Sequence, residues 1–375
     1  MRRSCLAGLA ALFVLALWAP AFAEPLKVVS EGAVAQASAT RFVLHSDRLD
    51  RDFEIVVHRP SATVFLPGQK FAAIYALDGG YGLAGPQSQF LSARDVMAPA
   101  IIVSVGYLPG QANFRSTDLT HNAFTLGGST MGGGGAAFEA FLLQDLKPFI
   151  EARYPADPAG SVLFGHSLGA VFAANVFADN PDAFAGYIIG SVVVPRDPGL
   201  AARVAKAAAA AHGQRIFLAV GGAEDGATPE KRMMRQGFTS LAAALRNRPG
   251  VILEARSYPG ENHLSYYPNL IIDGFRFVLP PTVPVDLPFA DLPPSTIARY
   301  TGVYDLPDGR TITLSAARDS MLSAQVIGAS SVLLPNGPDR YYAYTYDLDV
   351  RFDETGLTLS GGGGAKLRVE RGKRP

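Results

Sequence analysis

The chain has 375 residues, of which 48% are hydrophobic and 18% are charged, and its formal net charge is zero. This composition is typical of a globular protein with a sizeable core, and the length suits a large domain plus a small one. The balanced charge gives no electrostatic reason to expect nucleic acid or an anionic membrane surface as a partner.

The first 23 residues have the pattern of a secretory signal peptide. Arg2 and Arg3 precede an uncharged run from Leu6 to Trp18, and the small-x-small sequence Ala21-Phe22-Ala23 stands just before Glu24. The apolar run is shorter than the roughly 17 residues that a membrane-spanning helix needs. We therefore expect export with cleavage after Ala23, no stable membrane span in the mature chain, and a periplasmic or secreted location.

Cleavage would remove Cys5, which is the only cysteine of the chain. The mature protein would then have no disulfide, no thiolate metal site and no cysteine nucleophile. Any covalent chemistry must use another side chain.

From about residue 40 to 280, strand-like runs alternate with helix-like runs. The continuous apolar runs "AAIYAL" and "IIVSV" are typical of parallel strands that helices cover on both faces. The sequence predicts an α/β catalytic domain over residues 24–280, with a mostly parallel sheet flanked by helices. The glycine-rich stretch from Gly127 to Gly135 interrupts this alternation, and we expect it to be a mobile loop.

A proline-rich stretch marks the domain boundary, and we predict a linker over residues 281–295. Short alternating strands separated by Asp-Gly, Asn-Gly and Thr-Gly turns follow, which predict a small antiparallel β domain over residues 296–375. The tyrosine-rich run "YYAYTY" at 341–346 suits sheet packing better than a surface that stacks on carbohydrate.

Ser167 lies in the pattern Gly165-His166-Ser167-Leu168-Gly169, which by itself is a weak signal. The context strengthens this signal, because a strand-like run precedes the motif and the helix-like run "AVFAANVFADNP" follows it. A sharp strand-to-helix turn of this kind holds a serine hydroxyl exposed at the carboxyl edge of a sheet. Ser167 is the candidate nucleophile.

A serine nucleophile needs a base to accept its proton, and histidine is the usual one. Two histidines follow Ser167 in the chain. His212 stands at a helix end before Gly213, where an imidazole most often caps the helix or faces solvent. His263 lies in a turn-rich loop directly after a strand-like run, so we predict His263 as the base.

The acid that orients this base should end a strand between Ser167 and His263 in the chain. Glu224 and Asp225 follow the apolar run that ends at Val220. Adjacent carboxylates point in different directions, so one of them is expected to hold the imidazole, and Glu224 is favoured with Asp225 as the second choice.

An oxyanion hole needs two backbone N–H groups. One comes from the residue after the nucleophile, Leu168. The other is expected from the loop that holds Gly79, Gly80 and Tyr81, and the sequence does not decide among these three residues.

Seven stretches resemble, in order, the putative esterase (esterase D-like) branch of the α/β-hydrolases, which includes trilactone siderophore esterases, feruloyl esterases and mycolyltransferases. They are "FVLHSDRLDRDFEIVVHRP", "AIYALDGG", "RSTDLT", "FLLQDLKPFIEARYPADP", "LFGHSLGAVFA", "AVGGAE" and "GENH". The resemblance covers about residues 40–280 and implies ester chemistry with Ser167 as nucleophile, His263 as base and Glu224 as acid. The C-terminal β domain is similar to small domains appended to secreted β-lactamase-like hydrolases.

Two departures from the family pattern affect the pocket wall. Ala170 stands where a third glycine is common, and "GSVVVP" at 190–195 lacks the usual Ser-Pro-Ser run. Arg115 and Asp118 of the "RSTDLT" stretch are expected to stabilise a loop, although an arginine near a pocket also suits a carboxylate or catecholate anion.

The sequence therefore predicts an exported serine esterase that hydrolyses carboxylic esters, with siderophore lactones or aryl and acyl esters as substrate classes. No metal or organic cofactor is required by this chemistry. Three other hypotheses remain at this point: an acyltransferase with the same triad, a peptidase of the same fold, and a non-catalytic protein that binds a cell-envelope glycan. The oligomeric state cannot be inferred from the sequence.

Overall fold

The computed structural model describes residues 39–372, with short gaps. The gaps are residues 61–65, 67, 93–95, 113, 127, 195–196, 198, 226–228, 282–288, 327–328, 344–347 and 362–364. The predicted signal peptide and residues 282–288 of the predicted linker lie outside the described residues, so both stay predictions.

Ten strands precede residue 260. They are β1 (Ala39–Ser46), β2 (Arg51–His58), β3 (Ala72–Ala76), β4 (Ala100–Tyr107), β5 (Ala123–Leu126), β6 (Ser129–Gly132), β7 (Val162–His166), β8 (Gly186–Gly190), β9 (Gln214–Gly221) and β10 (Val251–Tyr258). Eight of them form one sheet in the order β1-β2-β4-β3-β7-β8-β9-β10. The two pairings that involve β2 are antiparallel, and those from β4 to β10 are parallel. The predicted mostly parallel sheet is confirmed.

Helices cover both faces of this sheet. They are α1 (Ala84–Ser92), α2 (Arg115–Asp118), α3 (Gly135–Ala140), α4 (Lys147–Arg153), α5 (Leu168–Asp179), α6 (Leu200–Ala210), α7 (Pro229–Leu245) and α8 (Tyr267–Val278). A π-helical segment, Phe141–Leu146, joins α3 to α4. None of the helices in the described part of the chain is long and apolar enough to cross a membrane.

The central strands are largely apolar because both of their faces are buried. In β9, Ile216 and Leu218 pack into the hydrophobic core on one face of the sheet, and Phe217 and Ala219 pack into the core on the other. Successive side chains of a strand point to opposite faces, so a strand between two helix layers has few positions for a polar residue.

The glycine-rich stretch from Gly127 to Gly135 is not loop throughout. Ser129–Gly132 is strand β6, which pairs with β5 as a two-stranded hairpin. Gly132 has a φ of 88°, and a Cβ there would lie 2.3 Å from Thr120 Oγ1. The glycines therefore allow close backbone approach as well as turns, and the prediction of a loop over this whole stretch is wrong for residues 129–132.

The C-terminal part is a closed barrel of eight antiparallel strands. After α9 (Pro294–Tyr300) come β11 (Gly302–Asp305), β12 (Thr311–Ala316), β13 (Leu322–Val326), β14 (Ala329–Pro335), β15 (Arg340–Ala343), β16 (Leu348–Phe352), β17 (Gly356–Ser360) and β18 (Lys366–Arg371). The predicted antiparallel β domain is confirmed. Its closure, through the pairing of β11 with β18, was not predicted.

The interior of the barrel is apolar. Tyr341 and Tyr342 are buried, so these two side chains of the tyrosine-rich run pack in the domain and offer no surface to a sugar. Tyr300 of α9 stacks on Phe352 with ring centroids 4.1 Å apart. Leu66, from the segment between β2 and β3, also belongs to the core cluster of the barrel. Leu66 thus packs against the C-terminal domain.

Candidate active site

Ser167 occupies a sharp turn between a buried strand and a buried helix. β7 ends at His166 and α5 begins at Leu168, and Ser167 between them has φ 59° and ψ −118°. A positive φ is strained for a residue with a Cβ and persists only where the surroundings impose it. A Cβ on Gly165 would lie 2.0 Å from the carbonyl oxygen of Gly169, so the turn requires glycine there.

His263 and Glu224 meet at the carboxyl edge of the sheet. Glu224 closes a short turn after β9, and His263 lies in the loop between β10 and α8. The Nδ1–H of His263 donates a hydrogen bond to Glu224 Oε1 at 2.5 Å. The ring of His263 also lies 4.5 Å from that of His166, the residue before Ser167. The structure thus brings His263 and Glu224 together beside the serine turn.

The structure separates the two residues that the sequence offered as alternatives. Asp225 is exposed, and its carboxylate lies 3.8 Å from Arg235. His212 is also exposed and lies beside Asp182, after the end of α6. Glu224 is the carboxylate that contacts His263, and the ring of His263 is the one that lies beside His166, the residue before Ser167.

The second carboxylate oxygen of Glu224 is held by groups that sequence analysis missed. Ser191 Oγ donates to Glu224 Oε2 at 2.5 Å, and the backbone N–H of Gly221 donates to it at 2.8 Å. The Tyr266 hydroxyl lies 2.6 Å from Ser191 Oγ and extends this network. Burial acts to raise the pKa of Glu224, but the hydrogen bonds from His263, Ser191 and Gly221 outweigh it and lower that pKa. Glu224 therefore remains an ionised hydrogen-bond acceptor for His263.

One feature of the sequence could have pointed to Ser191, namely its position directly after the apolar strand β8. Its φ of 49° shows that this strand end is also a strained turn. Tyr266 stands three residues after His263 and at the beginning of α8, where nothing in the local pattern distinguishes it from a core tyrosine. Only the packing of α8 against the sheet brings it to Ser191.

His166 is a buried histidine with aromatic neighbours. Its ring lies 5.7 Å from that of Tyr266 and 5.3 Å from that of Tyr267, and neither ring nitrogen makes a hydrogen bond of good geometry within the described residues. Burial lowers the pKa of His166 to about 3, and the nearby His263 and Arg115 act in the same direction. His166 is therefore a neutral ring against which the ring of His263 packs.

A left-handed backbone turn precedes α1 and lies near the serine turn. Asp78, Gly79, Gly80 and Tyr81 all have φ between 47° and 63° and ψ between 12° and 30°. This conformation costs about 1–2 kcal/mol for each residue that has a Cβ, here Asp78 and Tyr81. A Cβ on Gly80 would lie 2.7 Å from Ala84 Cβ, so glycine is needed there for space as well.

This turn contacts the first turn of α5. A Cβ placed on Gly169 would lie 3.5 Å from both Asp78 Oδ2 and Leu77 Cβ. At the other end of the turn, the Tyr81 ring meets the Tyr267 ring edge-on at 4.9 Å. The turn that carries Gly79, Gly80 and Tyr81 therefore lies beside the N-terminus of the helix that Leu168 begins. The backbone N–H groups proposed for an oxyanion hole thus lie near one another.

A side cavity of about 500 Å³ opens beside the left-handed turn. That volume is within the usual range for small-molecule sites. The lining combines aromatic and hydrogen-bonding groups from β2, β4, the turn and α2, including His58, Tyr81, Ser104, Tyr107 and Arg115. The cavity can therefore accept a substrate group that has polar atoms as well as ring surface.

Arg115 and Asp118 form two ion pairs at the cavity. Arg115 donates from Nε to Asp78 Oδ1 at 2.6 Å and from a terminal nitrogen to Asp78 Oδ2 at 2.9 Å. Asp118 is fully buried and pairs with Arg51. Both residues thus hold the loops around the cavity, as the sequence analysis expected.

One group of side chains in the described residues could hold a metal ion. Ligand atoms of His121, Glu139 and Asp179 all lie within 4.8 Å of one another. His121 already contacts Glu139, and Asp179 pairs with Arg203. Asp179 ends α5, whereas Ser167 precedes the first residue of that helix, so this group lies away from the serine turn.

The low pKa of His166 predicts a pH dependence of stability. Because the folded state favours the neutral ring, the unfolded state binds more protons below about pH 6.5, and stability falls as the pH falls. From pH 7 to pH 5 this residue alone should cost about 2 kcal/mol at 1.36 kcal/mol per pKa unit. Urea unfolding of the wild type and of His166→Phe at both pH values measures the slope.

The Phe variant keeps an aromatic ring and cannot titrate, so its free energy of unfolding should change less between the two pH values. Because only the difference between the slopes is compared, a packing cost of the substitution that is the same at both pH values does not affect the result. Equal slopes for the two proteins would contradict the prediction.

Comparison with known proteins relates this geometry to a family. The model of the putative esterase family matches residues 46–278, which include the serine turn, Glu224 and His263. The curated ferri-bacillibactin esterase BesA of Bacillus subtilis (strain 168) is 28% identical over 267 residues, covering 64% of this chain and 90% of BesA.

Solved structures have the same fold. The BES protein from Bacillus cereus matches with a TM-score of 0.60 and 25% identity, over 68% of this chain and 99% of that protein. An IroE-like serine hydrolase from Shewanella oneidensis matches with a TM-score of 0.57 and 21% identity, over 70% of this chain and 85% of that protein. The chain therefore belongs to the putative esterase family and is a carboxylic ester hydrolase.

Proposed function

We propose that the protein is an exported serine esterase that works through an acyl-enzyme on Ser167. The observation that supports this most is the strained backbone of Ser167 at a strand-to-helix turn, beside a histidine that is hydrogen-bonded to a buried carboxylate. Backbone strain of this kind costs free energy and is retained where it holds a reacting side chain. A structural serine in a turn would have no need of the His263–Glu224 pair.

In the proposed first step, His263 accepts the proton of the Ser167 hydroxyl through Nε2, because Nδ1 already carries a proton and donates a hydrogen bond to Glu224. The serine oxygen bonds to the ester carbonyl carbon, and the carbonyl oxygen becomes an oxyanion. When the intermediate collapses, the carbon–oxygen bond to the alcohol breaks, and His263 returns its proton to the leaving oxygen. In the second step, His263 accepts a proton from water, and the water oxygen bonds to the carbonyl carbon of the acyl-enzyme. The bond to the Ser167 oxygen then breaks, this oxygen takes the proton back from His263, and the acid is released.

The oxyanion is proposed to be stabilised by two backbone N–H groups. Leu168 is the first residue of α5, so its N–H has no partner within the helix and is free to face the reacting carbonyl. The left-handed turn offers the second donor, from Gly79, Gly80 or Tyr81. Donors that are already in place stabilise the developing charge without reorganisation during the reaction.

Removal of the nucleophile or the base tests this mechanism. Ser167→Ala and His263→Ala should each lower kcat for p-nitrophenyl acetate on the order of 10³-fold or more, because the proton transfer and the acyl-enzyme are lost. His212→Ala is the matched control and should retain full activity. A Ser167→Ala protein with wild-type turnover would refute the serine mechanism.

The acid is assigned by the same assay. Glu224→Gln should lower kcat at least about tenfold more than Asp225→Asn, because Glu224 is the residue that holds the imidazole tautomer. The reverse order would transfer the role to Asp225.

We further propose that the substrates are siderophore esters. The support is the name of the curated relative, a ferri-bacillibactin esterase, together with a cavity of about 500 Å³ that is larger than a short acyl group needs. Its tyrosines and hydrogen-bonding side chains suit a hydroxylated aromatic group. We expect kcat/KM for a catecholate trilactone to exceed that for p-nitrophenyl acetate by at least about tenfold. A preference for long unsubstituted acyl chains would contradict this substrate class.

Export is proposed from the first 23 residues alone. Cleavage after Ala23 would leave Glu24 as the first residue of the mature protein. N-terminal sequencing of the protein purified from the cell envelope or medium reads this position directly, and an intact N-terminus in those fractions would contradict it.

A further inference from the structure

We propose that Arg115 is a positioning residue of the esterase reaction, which acts through Asp78 to hold the left-handed turn 78–81 where its N–H groups can reach the acyl oxygen. This inference rests on the proposed serine mechanism and adds to it a residue outside the triad. Three features support it: the conformation of the turn, the geometry of the ion pair, and the way α2 is anchored.

The turn needs an external restraint. Four consecutive residues are left-handed, and two of them, Asp78 and Tyr81, have side chains that disfavour this conformation. The N–H of Leu83 donates a hydrogen bond to the carbonyl oxygen of Gly80 and closes the end of the turn. Side chains at the two ends add further restraint, and Tyr81 is held through its contact with Tyr267.

Arg115 restrains the other end. Its two nitrogens donate to the two carboxylate oxygens of Asp78, whose side chain is only 7% exposed. A bidentate pair of this kind fixes orientation as well as distance. Burial acts to lower the pKa of Arg115, but the Asp78 carboxylate outweighs it and raises that pKa. Burial raises the pKa of the Tyr81 hydroxyl at the other end of the turn, and the positive charge of Arg115 acts to lower it.

Arg115 is itself held in place by the contacts that anchor helix α2. It begins the short helix α2, and Asp118 at the end of this helix is fully buried and paired with Arg51 of β2. The Arg51 guanidinium also lies over the ring of Phe114, 4.4 Å from its centroid. The Arg51–Asp118 and Arg115–Asp78 ion pairs, joined by α2, therefore connect the central sheet to the left-handed turn.

The position of the turn gives this restraint a role in the reaction. Asp78 and Leu77 lie against Gly169, the residue after Leu168. Release of Asp78 would let the turn relax toward ordinary backbone conformations and move its N–H groups away from Ser167. The expected consequence is weaker stabilisation of the transition state with little effect on substrate affinity, which is a fall in kcat at nearly constant KM.

Kinetics on the neutral ester p-nitrophenyl acetate test the proposal. Arg115→Ala should lower kcat about 100-fold, the typical effect of losing one oxyanion donor, with KM within about threefold of the wild type. Asp78→Asn keeps the size of the side chain and should have a similar effect. The double variant should be within about threefold of Arg115→Ala, because both changes break one interaction.

Chemical rescue separates positioning from general damage to the fold. Guanidinium ion at tens of millimolar should restore kcat of Arg115→Ala at least about fivefold, because Asp78 is still present to bind it, and should not rescue the double variant. Arg115→Lys should be intermediate, since one ammonium group cannot bridge both oxygens. The matched control is Arg368→Ala, which breaks a two-nitrogen pair with Asp353 in the barrel and should leave kcat unchanged.

Three results would overturn the proposal: kcat of Arg115→Ala within threefold of the wild type, effects of the two single variants that multiply in the double variant, or a change in KM alone. The last two would indicate that Arg115 contacts the substrate directly. Hydrogen exchange of the Leu83 amide provides a readout independent of catalysis, and it should be faster in Arg115→Ala. If the wild type hydrolyses no ester, the serine mechanism fails, and this exchange rate still decides whether Arg115 holds the turn.

Discussion

The site depends on the strained turn at Ser167. A residue with a Cβ keeps a φ of 59° only because β7 and α5, both buried, fix the chain on either side of it. The backbone N–H of Ser167 donates to the carbonyl oxygen of Gly190, which ties the turn to the neighbouring strand β8. The two hydrophobic cores that cover the sheet thus maintain the conformation of one residue at its edge.

The groups around this turn are restrained in a similar way. Glu224 is fixed by three hydrogen bonds, from His263, Ser191 and the N–H of Gly221. The opposite wall is a left-handed turn held by Arg115. A buried carboxylate and a strained turn are both unfavourable in isolation, and each is retained here because charged or polar partners compensate for it.

Family membership shows that the chain hydrolyses carboxylic esters. Which ester it hydrolyses depends on the loops around the site. The cavity beside the left-handed turn is built from β2, β4 and α2, which belong to the α/β part of the chain. Among the described residues, the barrel contributes none that line it. Leu66, between β2 and β3, nevertheless joins the core of the barrel.

The sequence by itself determined the classes of secondary structure, because apolar runs and turn residues are local signals. It predicted the α/β part, the antiparallel β domain, and Ser167 at a strand-to-helix turn. It also ranked His263 above His212 by its place after a strand, and it favoured Glu224 over Asp225. The structure then gave Glu224 and His263 the mutual contact.

Only the tertiary structure decided what depends on distant segments. The closure of the barrel comes from the pairing of its first and last strands, and the hairpin in the glycine-rich stretch comes from the pairing of β6 with β5. Ser191 contacts Glu224 across 33 residues, Tyr266 contacts Ser191 across 75, and Arg115 reaches Asp78 across 37. No local pattern contains such contacts, because they follow from packing of helices on a sheet that the whole chain must build first.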